Sequence, residues 1–158
     1  MADDEAVKAL VKRARKLGIT VATAESITGG GLGEAITSIA GSSDIYRGGI
    51  IAYSDALKIS HLEIPKRMLT KHTAISEEVA RAMAESVRRG CKADYGISTT
   101  GVAGPGKAYG QRAGTVWIAI ASKRETTAIQ LALSGDRASV RQAVIESAIA
   151  AFTRILAP

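Results

Sequence analysis

Aromatic residues are scarce in this chain: one Trp, one Phe and four Tyr make up 4% of its 158 residues. A core must therefore be assembled from Ala, Val, Ile and Leu, in a chain that is 46% hydrophobic. Cysteine is nearly absent. Cys91 stands alone, which excludes an intrachain disulfide, and its place just past a helix end fits a buried small residue better than a nucleophile. The two histidines, His61 and His72, have no carboxylate or thiol partner at ligand spacing, so no metal site and no cofactor are expected. No apolar run reaches membrane-spanning length. Met1-Ala2-Asp3-Asp4-Glu5 is acidic where a signal peptide is basic and then apolar, so a cytoplasmic location away from membranes is expected.

The net charge is +6. Its cations lie in scattered pairs and short groups, such as Lys12-Arg13-Ala14-Arg15-Lys16, Lys66-Arg67, Arg88-Arg89 and Lys123-Arg124. No basic stripe interleaved with aromatics emerges, which argues against nucleic acid as the partner; an anionic small ligand accounts for the excess about as well.

The length suits one domain spanning 1–158, without linker, low-complexity segment or internal repeat. Apolar spacing predicts a helix over 4–17, its N-terminus capped by Asp3 or Asp4, inward at Val7, Leu10, Val11, Ala14 and Leu17 and ended by Gly18. A strand over 19–22 precedes a glycine-rich turn and a helix from Leu32 to Ala40. A second strand covers 48–53, and Ser54 or Asp55 caps a short helix carrying Lys58. A brief helix over 66–71 follows Pro65, and a longer one runs from Ser76 to Gly90. The third strand is 94–100, with a loop reaching Ala113. Two close strands, 115–122 and 126–133, read as a hairpin before a terminal helix capped by Asp136. Its inward positions are read as Val140, Val144, Ser147, Ala148, Ala151, Phe152 and Ile155. This order predicts a three-layer αβα domain with a mixed, mostly parallel sheet of about five strands. Sites in such sheets form beyond the strand carboxyl ends, where Ser26, Tyr53 and Thr100 all fall.

Gly101-Val102-Ala103-Gly104-Pro105-Gly106-Lys107 fits the first part of a P-loop, yet Ala108 stands where Ser or Thr must hold magnesium and no helical period follows. An ATP site is excluded; a loop over a crevice, touching ligand phosphate through Lys107 or Arg112, remains. At Ser26 a hydroxyl ends a strand and glycines open the next helix. That arrangement exposes a nucleophile beside unpaired N–H groups, and it serves equally well as an ordinary connection. Neither histidine sits at a predicted strand end, which leaves a lysine as the base for Ser26. Lys58 is best placed, provided that desolvation or a neighbouring cation keeps its amine neutral. A lysine on a short helix is also a common surface feature, and these residues alone do not decide between the two.

Five ordered blocks carry a resemblance. They are Thr23-Ala24-Glu25-Ser26-x-Thr28-Gly29-Gly30, Tyr53-Ser54-x-x-x-Lys58, Gly101-x-Ala103-Gly104-Pro105, Gly114-Thr115-Val116-Trp117 and Ser134-Gly135-Asp136-Arg137. Together they resemble the CinA C-terminal domain family over about residues 5–156. The family's standalone members are nicotinamide-nucleotide amidases. The resemblance implies hydrolysis of the carboxamide of nicotinamide mononucleotide, NMN, to nicotinate mononucleotide and ammonia by a Ser/Lys mechanism. Ser26 would be the nucleophile, Lys58 its base, and Tyr53 a proton relay or a platform for the pyridine ring. N–H groups at Thr28, Gly29 and Gly30 would receive the oxyanion, Thr100 and Gly101 would flank the substrate, and Arg137 and Arg141 would take its phosphate. Self-association into a homo-oligomer is expected. The alternatives are a catalytically weak nucleotide-binding or regulatory domain and a protein associated with competence or DNA damage. The chain departs from the family pattern at Ile27, where Cys is usual, at Asp55-Ala56, where Asn and Glu are common, and at Gln111-Arg112-Ala113, where the family tends to carry Glu-Lys-Pro-Val.

Overall fold

A computed structural model describes residues 4–158. Helix α1 spans Asp4–Leu17, and Gly18 leaves it at φ +64°, a left-handed exit that glycine adopts without strain. Strand β1 covers Val21–Glu25, helix α2 Gly31–Thr37, and a 3₁₀ turn Ser42–Asp44 leads into β2, Tyr46–Ile51. Three helices follow: α3 Asp55–Leu62, α4 Lys66–His72 and α5 Glu77–Gly90. Strands β3 Tyr95–Gly101, β4 Thr115–Ala121 and β5 Thr126–Ala132 precede α6, Arg137–Ile155. Asp3, read as a possible cap of the first helix, lies outside the described residues.

The sheet order is β2-β1-β3-β4-β5. β1 pairs parallel with both β2 and β3, while β4 runs antiparallel to β3 and β5 antiparallel to β4. Four strands thus point one way and β4 alone opposes them, giving the expected three-layer α/β domain with a mixed sheet. The period-two alternation of strands sorts the core. Val21, Ile97, Val116, Ile118 and Ile120 face α1, α2 and α6. Ala22, Ala24 and Trp117 face the α3–α5 side. The second face is made of small residues so that α5 lies close: a Cβ at Gly96 would stand 2.1 Å from the Ala84 carbonyl oxygen.

Some boundaries differ from the sequence reading, each for a packing reason. β1 begins at Val21 and runs through Thr23-Ala24-Glu25, because both flanking strands pair with these residues. β2 starts at Tyr46 and ends before Tyr53, following the register Val21↔Tyr46 to Glu25↔Ile51. Leu17 and Ile155, read as inward, are exposed at helix ends, and Ile145 and Ile149 are buried on α6 instead. Cys91 is half-buried beyond α5, and burial raises its thiol pKa, as suits an inert residue.

Candidate active site

Ser26 follows directly on β1, where the chain leaves the sheet at its carboxyl end. Its own N–H donates to the Thr99 carbonyl at 2.9 Å, so β3 holds the backbone of this serine in place. Lys58 lies on α3, capped by Ser54, whose hydroxyl accepts the Leu57 N–H. From there the lysine reaches inward: its Nζ lies 3.0 Å from Ser26 Oγ and 2.9 Å from the Ala52 carbonyl oxygen, and the residue is 1% exposed. A lysine buried this far with no carboxylate in contact is the opposite of a surface residue. Burial drives its pKa down from the ordinary 10.5, and the Asp55 charge opposes that only in part. A neutral amine can donate to Ala52 and offer its lone pair to the Ser26 proton.

The pair opens onto a cavity of about 380 Å³ whose wall includes Ile27, Tyr53, Lys107, Tyr109 and Arg137. Gly101 lines it, together with Ala103 and Gly104 of the loop that follows β3. That loop is tied down at three points. Arg137 donates to the Gly104 carbonyl at 2.9 Å, Tyr109 donates to Asp55 at 3.2 Å, and the Gln111 amide donates to the Ile75 carbonyl at 2.6 Å. Arg137 also donates to the Tyr53 hydroxyl at 2.6 Å, joining α6 to the segment between β2 and α3 across the cavity mouth. Lys107 therefore stands over the cavity, whereas Arg112 is exposed outside it. His61 bonds Ser60, and His72 lies 3.5 Å from Glu78, both away from Ser26. Among the described residues no His, Cys, Asp and Glu side chains group so as to hold a metal ion.

The glycine-rich turn is organised differently from the sequence reading, and the agent is Glu25. This carboxylate is 2% exposed and accepts N–H bonds from Gly30, Leu32 and Gly33 at 2.8–3.0 Å, as well as the Thr28 hydroxyl at 2.6 Å. It caps α2 from within, placing negative charge where the helix dipole favours it. The N–H of Gly30 is thereby consumed, and that of Gly29 closes the turn onto the Ser26 carbonyl at 3.1 Å. Neither is free for an oxyanion. Ile27 and Thr28, by contrast, donate their N–H groups to no acceptor among the described residues. Thr100 is wholly buried, its hydroxyl donating to the Ala74 carbonyl at 2.7 Å, so it supports the wall rather than lining it. Arg141 is turned away from the cavity: its guanidinium donates to the Ile27 and Thr28 carbonyls at 3.1 and 2.9 Å. A strand-end Glu before a glycine-led helix is the signal that marks Glu25; Tyr109 and the Ala52 carbonyl carry no such signal.

A three-layer α/β domain with a hydroxyl–amine pair at a strand carboxyl end defines the class of protein. The family follows from comparison: the model of the CinA C-terminal domain matches residues 3–156, and the chain belongs to that family. It is 39% identical over 156 residues to a CinA-like protein of Gemmatimonas aurantiaca, covering 98% of this chain and 36% of that protein. It is 44% identical over 132 residues to a putative competence-damage inducible protein of Geobacillus kaustophilus, covering 83% of this chain and 32% of that protein. The chain thus spans about a third of the length of the curated relatives it matches. Among solved structures it resembles the competence or damage-inducible protein of Enterobacter asburiae, with a TM-score of 0.96, 32% identity and 99% of each chain covered. It also resembles a CinA-superfamily protein of Klebsiella pneumoniae, with a TM-score of 0.95, 29% identity and 97% and 96% of the two chains covered.

Proposed function

We propose that the domain is an amidohydrolase that cleaves the carboxamide of nicotinamide mononucleotide, with Ser26 as nucleophile and Lys58 as its base. The observation that carries this reading is the 3.0 Å contact between Ser26 Oγ and an amine whose burial favours the neutral form. Lys58 takes the Ser26 proton as Oγ bonds to the carboxamide carbon, and returns it to the departing ammonia. Water then attacks the acyl-serine while the same amine accepts its proton, and as the acyl–Oγ bond breaks the amine returns that proton to Ser26, releasing the carboxylic acid. The carbonyl oxygen, negative in each tetrahedral intermediate, is received by the free N–H of Ile27, which lines the cavity, in place of those of Gly29 and Gly30; Thr28 is wholly buried behind it. The cavity volume suits a mononucleotide, and Arg137 and Lys107 supply cations for its phosphate. Tyr53, its hydroxyl held by Arg137, offers its ring at the mouth.

The test is ammonia release from NMN by the purified protein without added metal. The parent is expected to turn over, with Ser26→Ala and Lys58→Ala each lowering kcat by about 10³ or more. Tight NMN binding without turnover in the parent would replace this reading with that of a nucleotide-binding regulatory domain.

A further inference from the structure

We propose that Arg141 is a positioning residue for acyl transfer: it sets the peptide planes of the nucleophile turn so that the Ile27 N–H, on the cavity wall, is left for the oxyanion. The inference rests on the Ser26 nucleophile reading above, and adds to it a residue that touches neither substrate nor base.

Arg141 lies one turn into α6 and is half-buried against the turn. Nε donates to the Ile27 carbonyl at 3.1 Å and Nη2 to the Thr28 carbonyl at 2.9 Å, two bonds from one planar fork to consecutive carbonyls. Among the described residues no carboxylate pairs with this guanidinium, so its charge is directed at the turn. Gly29 suits the turn through its φ of +57°, which glycine adopts freely, while Nη2 lies at ordinary contact distance from where a Cβ would stand.

The consequence follows from peptide geometry. In a planar trans peptide the C=O and the following N–H point in opposite directions. Holding the Ile27 carbonyl toward Arg141 therefore turns the Thr28 N–H away from α6, into the protein, since Thr28 is wholly buried and does not line the cavity. Holding the Thr28 carbonyl turns the Gly29 N–H away likewise, and it closes on the Ser26 carbonyl at 3.1 Å. That closure fixes the first peptide plane of the turn, and the Ile27 N–H points opposite to the Ser26 carbonyl. One side chain thus orients three successive planes, and its positive charge lies behind the donor that faces the developing oxyanion.

The experiment compares the parent with Arg141→Lys and Arg141→Met in two assays. One is NMN turnover; the other is the rate at which a fluorophosphonate phosphonylates Ser26, read by intact mass. In the second, Oγ bonds to phosphorus, fluoride leaves and the hydroxyl proton goes to the amine, with the P=O oxygen in the oxyanion position. Arg141→Met is expected to lower kcat and the labelling rate together by about 10–10². KM is expected to stay within about twofold, and the pH at which the rate levels off is expected not to move, because Lys58 is untouched. Arg141→Lys, which keeps the charge and one donor, is expected to recover part of both rates. Thermal unfolding of the two variants separates this from loss of fold. Unchanged kcat and labelling in a folded Arg141→Met overturns the proposal, as does a rise in KM with kcat intact, which would make Arg141 a substrate ligand. A parent that labels at Ser26 yet leaves NMN uncleaved refutes the substrate while the labelling rates still decide on Arg141. A parent that never labels overturns the nucleophile and Arg141 together.

Discussion

At the scale of single residues, the behaviour of the site depends on which influence on Lys58 prevails. Removal from water lowers its pKa, and the Asp55 charge raises it; the first is the larger. The protonated amine is no base, so activity is expected to climb about tenfold per pH unit on the acid side and level off above the Lys58 pKa. Asp55→Asn removes the opposing charge while leaving an oxygen to accept the Tyr109 hydroxyl, which lies 3.2 Å away. The acid limb of its kcat profile is therefore expected to move to lower pH; a limb that stays in place or moves up would mean that Asp55 does not act on the base. Lys58 itself illustrates the limit of residue-level reading. Its type and spacing after Tyr53 single it out, but a solvated lysine has the same letters. Only the 1% exposure and the contact with Ser26 separate the two.

At the scale of elements, the most consequential one is the strand–turn–helix running from β1 into α2. Helix α2 is only seven residues long, too short to be stable by propensity alone, and its N-terminus has no side-chain cap at Gly30. Glu25 supplies that cap from the preceding strand, satisfying three N–H groups. Glu25→Ala is expected to destabilise the domain by on the order of 3 kcal/mol, since those donors would be left buried and unpaired. It is also expected to reduce turnover, because the turn holding Ser26 loses its anchor. Chemical denaturation checks the first and ammonia release the second; a stable variant with full activity would show that water replaces the carboxylate. Sequence reading placed the glycines correctly at the helix start and misassigned their N–H groups. An N–H belongs to whichever acceptor the fold brings nearest, and here that acceptor is a buried carboxylate from the adjacent strand.

At the scale of the whole molecule, the site depends on how closely the α3–α5 layer lies on the sheet. Gly96 permits that approach, and Ser98 reinforces it by donating to the Ala80 carbonyl at 2.6 Å. Gly96→Ala would place a methyl 2.1 Å from the Ala84 carbonyl oxygen, on backbone that cannot rotate aside. It is expected to cost about 3 kcal/mol or more, read as a lower denaturation midpoint at unchanged m-value. A loss within about 0.5 kcal/mol would mean that α5 slides over the sheet at little cost, and that the cavity wall behind Ile75 is not rigid.

By itself the sequence determined the number and kind of the elements, the three-layer class and the strand-end placement of Ser26, and it singled out Lys58 rather than either histidine as the side chain to stand beside that serine. These are local properties: apolar period, glycine and cap positions, and the order of residues along one chain. Tertiary structure alone decided which N–H groups stay free, that Thr100 is buried behind the cavity wall, and that Arg141 grips the turn after Ser26 while Arg137 faces the cavity. It also decided that the amine of Lys58 is buried. Each of these is a matter of which hydrogen-bond partners meet and how much water remains around them. Those partners lie 32 residues away for Lys58 and Ser26, and 113 and 114 for Arg141 and the turn, separations at which no local pattern carries information.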